Sequence, residues 1–382
     1  MTRITWGLST ALTLLLTSAA LACLHGPKDG GYRFDQEAQT ALIFWAGGRQ
    51  ELFLSVDYEV TVRSPSPKSP PSGLAWVVPL PSAPDAYRVA DAELLKSASE
   101  AWHRARPSPE VASTRSSGEK SLRADRGGIR LLEKVEVGDY EIQPIQTTDK
   151  ASGAALNAWL TKNGFGEVPA ANMAYYLERS WTWLAVKAKQ GAADRSTVRT
   201  PTRKGAPQRG TLKPLQISFA SEEIVYPLKF SSHQGTFSVA IYIATEKPLA
   251  DFSLREGAYR SKSAPHGFRA EGYELELPDL LWEAHSAAKN FPGFPSRKVI
   301  LTKISNGRVN NSTNPISEWT TDLAFKPHPT EAAKTAQPAA SSAAGSSGGL
   351  CALHDPHPSR SHPSGGAWLL ALVLAALWVR RP

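Results

Sequence analysis

The clearest pattern in the chain follows Arg49, where Leu52, Leu54, Val56, Tyr58, Val60 and Val62 alternate with Glu51, Ser55, Asp57, Glu59 and Thr61. A period of two puts the apolar set on one face of an extended chain, so the segment is predicted to be a long, half-buried strand. Thr40 to Trp45 reads as the strand before it, and Ala46-Gly47-Gly48-Arg49 as the turn between them. After the Pro/Ser-rich loop Ser64 to Ser72, Leu74 to Val78 returns as a short, wholly apolar strand closed by Pro79 and Pro81. Proline has no N–H to give to a ladder, so the strand is expected to end there. Together the three segments predict an antiparallel meander whose last strand is buried on both faces, with Trp76 in the core.

The period then changes. Leu94, Leu95, Ala98 and Trp102 share one face of a helix that Asp91 can cap, and this helix is expected to cover the meander. A second helix from about Ser152 turns Leu156, Trp159 and Leu160 inward and stops at Gly164, and Pro169 suits the first turn of a third that runs through Tyr176. Strand character resumes in Ile129 to Ile145, with a turn near Gly138-Asp139, and in Ser180 to Ala188. It returns at Leu215/Ile217/Phe219, Phe237/Val239/Ile241/Ile243, Tyr273/Leu275/Leu277 and Val299/Leu301. The fold class this predicts is α+β, antiparallel β-sheet with a few helices packed on one face. No internal repeat of solenoid or propeller length is visible.

Composition sharpens the boundaries. At 382 residues and 41% hydrophobic content the chain can bury a sizeable core. Arg3, the apolar run Leu8 to Leu16 and Ala20-Leu21-Ala22 form a secretory signal over residues 1–22, so the mature chain is expected to begin at Cys23. A cysteine there raises lipidation, although Ala20 stands where a lipoprotein signal carries leucine. The folded domain is expected over residues 23–329, with polar, basic insertions at 104–128 and 190–210. Residues 330–364 form an Ala/Ser/Gly/Pro-rich linker. Gly365-Gly366, the apolar run 367–379 and Arg380-Arg381 close the chain as a tail. From Gly365 to Val379 is fifteen residues, roughly 22 Å of helix against a ~30 Å hydrocarbon core, short for a permanent span.

Charge excludes one class of partner. The net charge is +8, from 43 Lys and Arg against 35 Asp and Glu; Arg3, Arg380 and Arg381 lie in the terminal signals, which leaves 40 against 35 elsewhere. Much of the surplus sits in the two insertions and forms no basic stripe interleaved with aromatics, so no nucleic-acid partner is expected.

Candidate chemistry is sparse. Gly345-Ser346-Ser347-Gly348-Gly349 fits the spacing of a nucleophile elbow but has neither the strand before it nor the helix after it that the elbow needs. Cys351, His354, His357 and His362 fall within twelve residues and offer thiolate and imidazole to zinc or copper, while a His-rich polar spacer has the same composition. Glu222 and Glu223 precede an apolar run; adjacent strand residues point to opposite faces, which argues against one shared acid–base site. Trp181 and Trp183 share a strand parity, as a sugar platform or, more commonly, as core. The processing residues are Ala22, Cys23, Gly365 and Gly366. No catalytic residue and no cofactor is predicted.

Several separate motifs carry a resemblance. Leu74-Ala75-Trp76-Val77-Val78-Pro79-Leu80-Pro81, then Ala154-Ala155-Leu156-Asn157-Ala158-Trp159-Leu160 to Gly164-Phe165, then Leu212-Lys213-Pro214-Leu215 to Val225-Tyr226-Pro227-Leu228 resemble, in that order, the bacterial DUF2330 family. Members usually open the mature chain with Cys-Gly-Gly, whereas this one has Cys23-Leu24-His25-Gly26. The resemblance implies the domain boundaries and no mechanism. The C-terminus separately resembles the tripartite tails read by intramembrane sorting proteases, closest to the glycine-glycine version; Cys351 lies fourteen residues before Gly365, farther than the cysteine version places it. The function expected is that of an exported, non-enzymatic envelope protein with a binding or structural role. The alternatives are an envelope hydrolase with a loop-built site and a carbohydrate- or peptidoglycan-binding module. Signal peptidase and a sorting protease are the expected partners, with the membrane met through residues 367–379.

Overall fold

A computed structural model describes residues 24–25, 32–62, 74–106, 128–193, 207–262, 264–287 and 290–328. The chain opens with β1 (Leu24–His25), β2 (Tyr32–Ala46), β3 (Arg49–Val62), β4 (Leu74–Leu80) and β5 (Ala86–Val89), followed by α1 (Leu94–Ala105). Next come β6 (Ile129–Leu131), β7 (Val135–Val137), β8 (Tyr140–Thr147), α2 (Gly153–Lys162), α3 (Ala170–Leu177) and β9 (Thr182–Ala188). The remainder is β10 (Gln208–Thr211), β11 (Leu215–Ala220), β12 (Ile224–Tyr226), β13 (Phe237–Thr245), β14 (Phe252–Arg255), β15 (Ala258–Ser261), β16 (Arg269–Glu276), α4 (Asp279–Ser286), β17 (Lys298–Val309) and β18 (Leu323–Phe325). Strand is therefore the dominant structure, accompanied by four helices among the described residues.

The strands form a ten-stranded sheet, a six-stranded sheet and the two-stranded β12–β18 pair. In the large sheet the order is β14-β15-β16-β17-β13-β2-β3-β11-β5, with β10 also on β3. Every pairing in it is antiparallel except β2 with β13, which is parallel. The β2–β3 hairpin turns on Gly47 and Gly48, at φ 55° and 75°. A two-residue hairpin of this hand needs positive φ at both central positions, which two glycines meet without strain.

The apolar strand β4 does not extend this hairpin. It crosses to the small sheet, where it lies between β1 and β9. The reason is burial: all seven of its residues are buried, and a strand apolar on both faces needs a layer on each side. The large sheet supplies one layer, because Leu52, Leu54 and Val56 share a core with Trp76, Tyr140 and Val186. Helix α3 supplies the other, with Tyr176 edge-on to Trp183 of β9 at 5.7 Å. Pro79 lies inside β4, opposite Trp183. It is tolerated there because β1 pairs only with Ala75 and Trp76, which leaves β4 without a second neighbour at Pro79.

The helices divide between two sheets and do not share one face. The outer face of the large sheet carries Leu42, Phe44, Phe53 and Tyr242, which pack against Leu94, Leu95, Ala98 and Trp102 of α1 and Leu281 of α4. Asp91 accepts the Glu93 N–H at 2.8 Å just ahead of α1. Gly164, at φ 85°, ends α2 as expected. Helix α4 was not evident in the sequence: its eight residues are too few for the spacing of Leu281 and His285 to stand out.

Candidate functional site

Two successive residues on α3 and two alternate residues around the start of β9 have opposite fates, and their separation builds the site. Tyr176 and Trp183 are wholly buried. Tyr176 donates its hydroxyl to Asp322 Oδ2 at 2.5 Å and accepts the Phe230 N–H at 2.8 Å. Asp322 is itself buried, and its Oδ1 accepts the N–H groups of Lys229 at 2.9 Å and Leu323 at 3.0 Å. Its carboxyl is pushed up to about 6 by loss of solvation, which outweighs the donors that favour the charged form. The Asp322 N–H in turn reaches the Tyr175 hydroxyl at 3.2 Å, so the buried acid also fixes half-buried Tyr175.

The end of α3 sets the rest. Ser180 adopts φ 52°, its N–H bonds to Leu177 O at 3.1 Å, and the Trp181 N–H bonds to Tyr176 O at 3.1 Å. This pair of bonds is a Schellman closure, here with serine in the left-handed position that glycine normally fills. Its hydrophobic contact is present as well, with the Trp181 and Tyr176 rings 5.2 Å apart. The closure leaves Arg179 one helical turn from Tyr175. The guanidinium carbon lies 3.7 Å over the Tyr175 ring, and Nη1 donates to Tyr175 O at 2.9 Å. Burial raises the Tyr175 phenol, with the charges of Asp322 and Glu223 adding to it.

Tyr175, Arg179 and Trp181 wall an open groove of about 440 Å3, with Ser221, Glu222, Glu223 and Asp322 also lining it. Glu222 and Glu223 occupy an exposed bend ahead of β12. The bend frees them from strand alternation, so both line one groove instead of pointing to opposite faces. Ser221 turns its hydroxyl to the Glu223 carbonyl. The backbone of this bend is tied down by the Ser221 N–H to Gly48 O at 2.8 Å and by the Trp45 indole to Ser221 O at 3.0 Å.

The other residues singled out in the sequence are dispersed. Trp183 is core, against Tyr176 and Phe230, and Trp181, 8% exposed, offers the groove only an edge; the two do not make a sugar platform. Asp85, near the bend but outside the groove lining, is held by Arg49 in two contacts of 2.8 and 2.6 Å. Ala22, Cys23, Cys351, His354, His357, His362, Gly365 and Gly366 lie outside the described residues, as do most of the two insertions and all of the linker and tail. Among the described residues no group of three His, Cys, Asp or Glu is placed to hold a metal ion, and no helix is long and apolar enough to cross a membrane. Two histidines, buried His285 and half-buried His266, are structural. His285 bonds through Nδ1 to Trp282 O at 2.7 Å and accepts the Phe294 N–H on Nε2, and burial lowers its basicity. His266 stacks on Trp319 at 3.9 Å and is lowered to about 4, mainly by burial.

Sequence reasoning reached Trp181, Glu222 and Glu223 but not Tyr175, Arg179 or Asp322. The one local signal for Arg179 was its spacing of four from Tyr175 at a helix end.

A family model described as "Uncharacterized protein conserved in bacteria (DUF2330)" matches residues 18–264. No curated protein matches the chain. Among solved structures, the crystal structure of baculovirus P35 aligns at 10% identity and a TM-score of 0.30, over 78% of this chain and 98% of that one. The crystal structure of the caspase-8/P35 complex aligns at 9% identity and 0.32, over 76% and 96%.

Proposed function

The chain belongs to the bacterial DUF2330 family, and on that premise we propose that it is an exported, envelope-associated binding protein whose ligand face is the groove between Arg179 and Glu222-Glu223. The observation that carries this reading is the Arg179–Tyr175 stack at 3.7 Å. A guanidinium held over an aromatic ring, with one N–H on a backbone carbonyl, keeps donors to spare and loses little freedom when a ligand arrives. The groove volume falls in the range that takes small ligands, and its walls are fixed from beneath by buried hydrogen bonds.

Placement outside the cytoplasm rests on the ends of the chain. Signal peptidase would cut after Ala22 and leave Cys23 first. The tail would hold the body at the membrane through residues 367–379, or be cut at Gly365-Gly366 by an intramembrane sorting protease. Deleting residues 365–382 is expected to release the protein into the periplasm or medium in either case. A mass ending near Gly365 in envelope-bound protein supports sorting, and a full-length C-terminus supports a plain anchor. Unchanged envelope retention after the deletion contradicts both.

Binding is tested by calorimetric titration of the purified full chain with soluble fragments released from isolated envelopes, so that membrane retention by the tail does not enter the readout. Arg179→Ala is expected to lose most of the affinity, and an unchanged affinity contradicts the assignment of the groove. One observation favours a second reading, that of a hydrolase: Glu222 and Glu223 line the same groove and could divide acid and base roles. Under that reading the envelope material would be cleaved, and Glu222→Gln or Glu223→Gln would stop cleavage while retaining binding.

A further inference from the structure

The groove carries charges of both signs that do not neutralise each other. Arg179 is exposed, and its hydrogen-bond partner is a backbone carbonyl, Tyr175 O. No ion pair within 4.0 Å joins it to Glu222 or Glu223, although all three line the same groove. By contrast, Arg49, Lys187, Lys189, Arg209, Arg260 and Arg297 all sit within that distance of a carboxylate. Opposite charges that line one groove without touching keep unspent hydrogen-bonding capacity, and a ligand can use both at once.

We propose that the groove takes a short zwitterionic peptide, its carboxylate on Arg179 and its ammonium on Glu222 and Glu223. The proposal rests on the groove being the ligand face and adds the class of ligand. A carboxylate suits Arg179 because the stacked guanidinium presents a planar fork, the geometry that binds a carboxylate through two parallel bonds. An ammonium suits Glu222 and Glu223 because two adjacent carboxylates can share its three donors. The other ligand classes fit less well. An anionic polymer would meet Glu222 and Glu223, and a polycation would meet Arg179. A neutral glycan would want stacked indoles, and Trp181 is the only tryptophan lining the groove. The Tyr175 ring, capped by Arg179, and the edge of Trp181 give the apolar middle of a small peptide its contact.

The probe is trialanine, with N-acetyl-trialanine and trialanine amide as controls, titrated calorimetrically into the purified full chain. Trialanine is expected to bind, and each blocked form to bind about tenfold or more weakly, as expected for loss of one charge-assisted contact. Arg179→Ala should weaken trialanine by a similar factor yet leave trialanine amide nearly unaffected. Combined Glu222→Gln and Glu223→Gln should behave in the same way toward N-acetyl-trialanine. This pairing of variant with blocked end is a readout that general unfolding would not produce. Equal affinity for free and blocked peptides overturns the proposal, and so does the absence of any heat with trialanine. If binding of soluble envelope fragments still depends on Arg179 in that event, the groove reading stands and only the peptide is wrong. If it does not, both fall.

Discussion

Tyr176 and Trp183 on one side, and Tyr175 with Arg179 on the other, fall within nine residues of sequence and are separated by the whole difference between core and site. The first pair is sealed: Tyr176 holds Asp322, and Asp322 holds the backbone at Lys229 and Leu323, while the Trp183 indole N–H is buried without a hydrogen-bond partner. The second pair, half-buried Tyr175 and exposed Arg179, lines the groove and carries a guanidinium with no carboxylate partner. Its precision comes from the first, since Asp322 also fixes the Tyr175 hydroxyl and the Schellman closure at Ser180 bonds back to Tyr176. Side chains of like chemistry thus divide into a support that sets stability and a surface that is free to bind.

Removing the support should have the largest effect. Trp183→Ala opens a cavity beside Tyr176 and Phe230 and is expected to cost about 3–5 kcal/mol. Denaturant midpoints check this, and an unchanged midpoint would break the division between support and surface.

Asp322 gives the next largest effect, read as pH dependence. Its folded value of about 6 exceeds the ordinary 3.8, so the folded state binds more protons between these values. Its contribution is therefore present below about pH 4 and lost as pH rises through about 6, a change on the order of 3 kcal/mol. His266 has the opposite sign: its folded value of about 4 lies below 6.5, so stability rises with pH across that interval. The two oppose each other in the native chain. Asp322→Asn should unmask a rise in stability with pH that the native chain largely conceals, and identical pH slopes in the two proteins would contradict it.

These positions mark where sequence reasoning ran out. Strand β3 was legible because every second residue is apolar, and the burial of β4 because it has no polar face. The destination of β4 was not legible, since an apolar run specifies two covering layers without saying which elements provide them. Asp322 was invisible for a different reason. It is a lone acid in a polar stretch, and its partner Tyr176 lies 146 residues away. Glu222 and Glu223 were seen, but strand alternation was applied to a bend, where it does not hold.

Ser180 sharpens the comparison at a smaller scale. A non-glycine residue at φ 52° carries backbone strain, so Ser180→Gly is expected to raise stability by up to about 1 kcal/mol while preserving the closure. A loss of stability would mean that the serine side chain contributes there. Arg179→Ala should change stability least, within about 0.5 kcal/mol, because it removes an exposed side chain with no buried partner.

Arg179→Ala is therefore the sharpest test, with melting temperature and affinity for soluble envelope fragments measured on the same preparation. A melting temperature within about 2 °C of the native value, together with loss of most of the affinity, is the predicted result. A lowered melting temperature with the affinity intact would show that Arg179 belongs to the support and that the ligand face lies elsewhere.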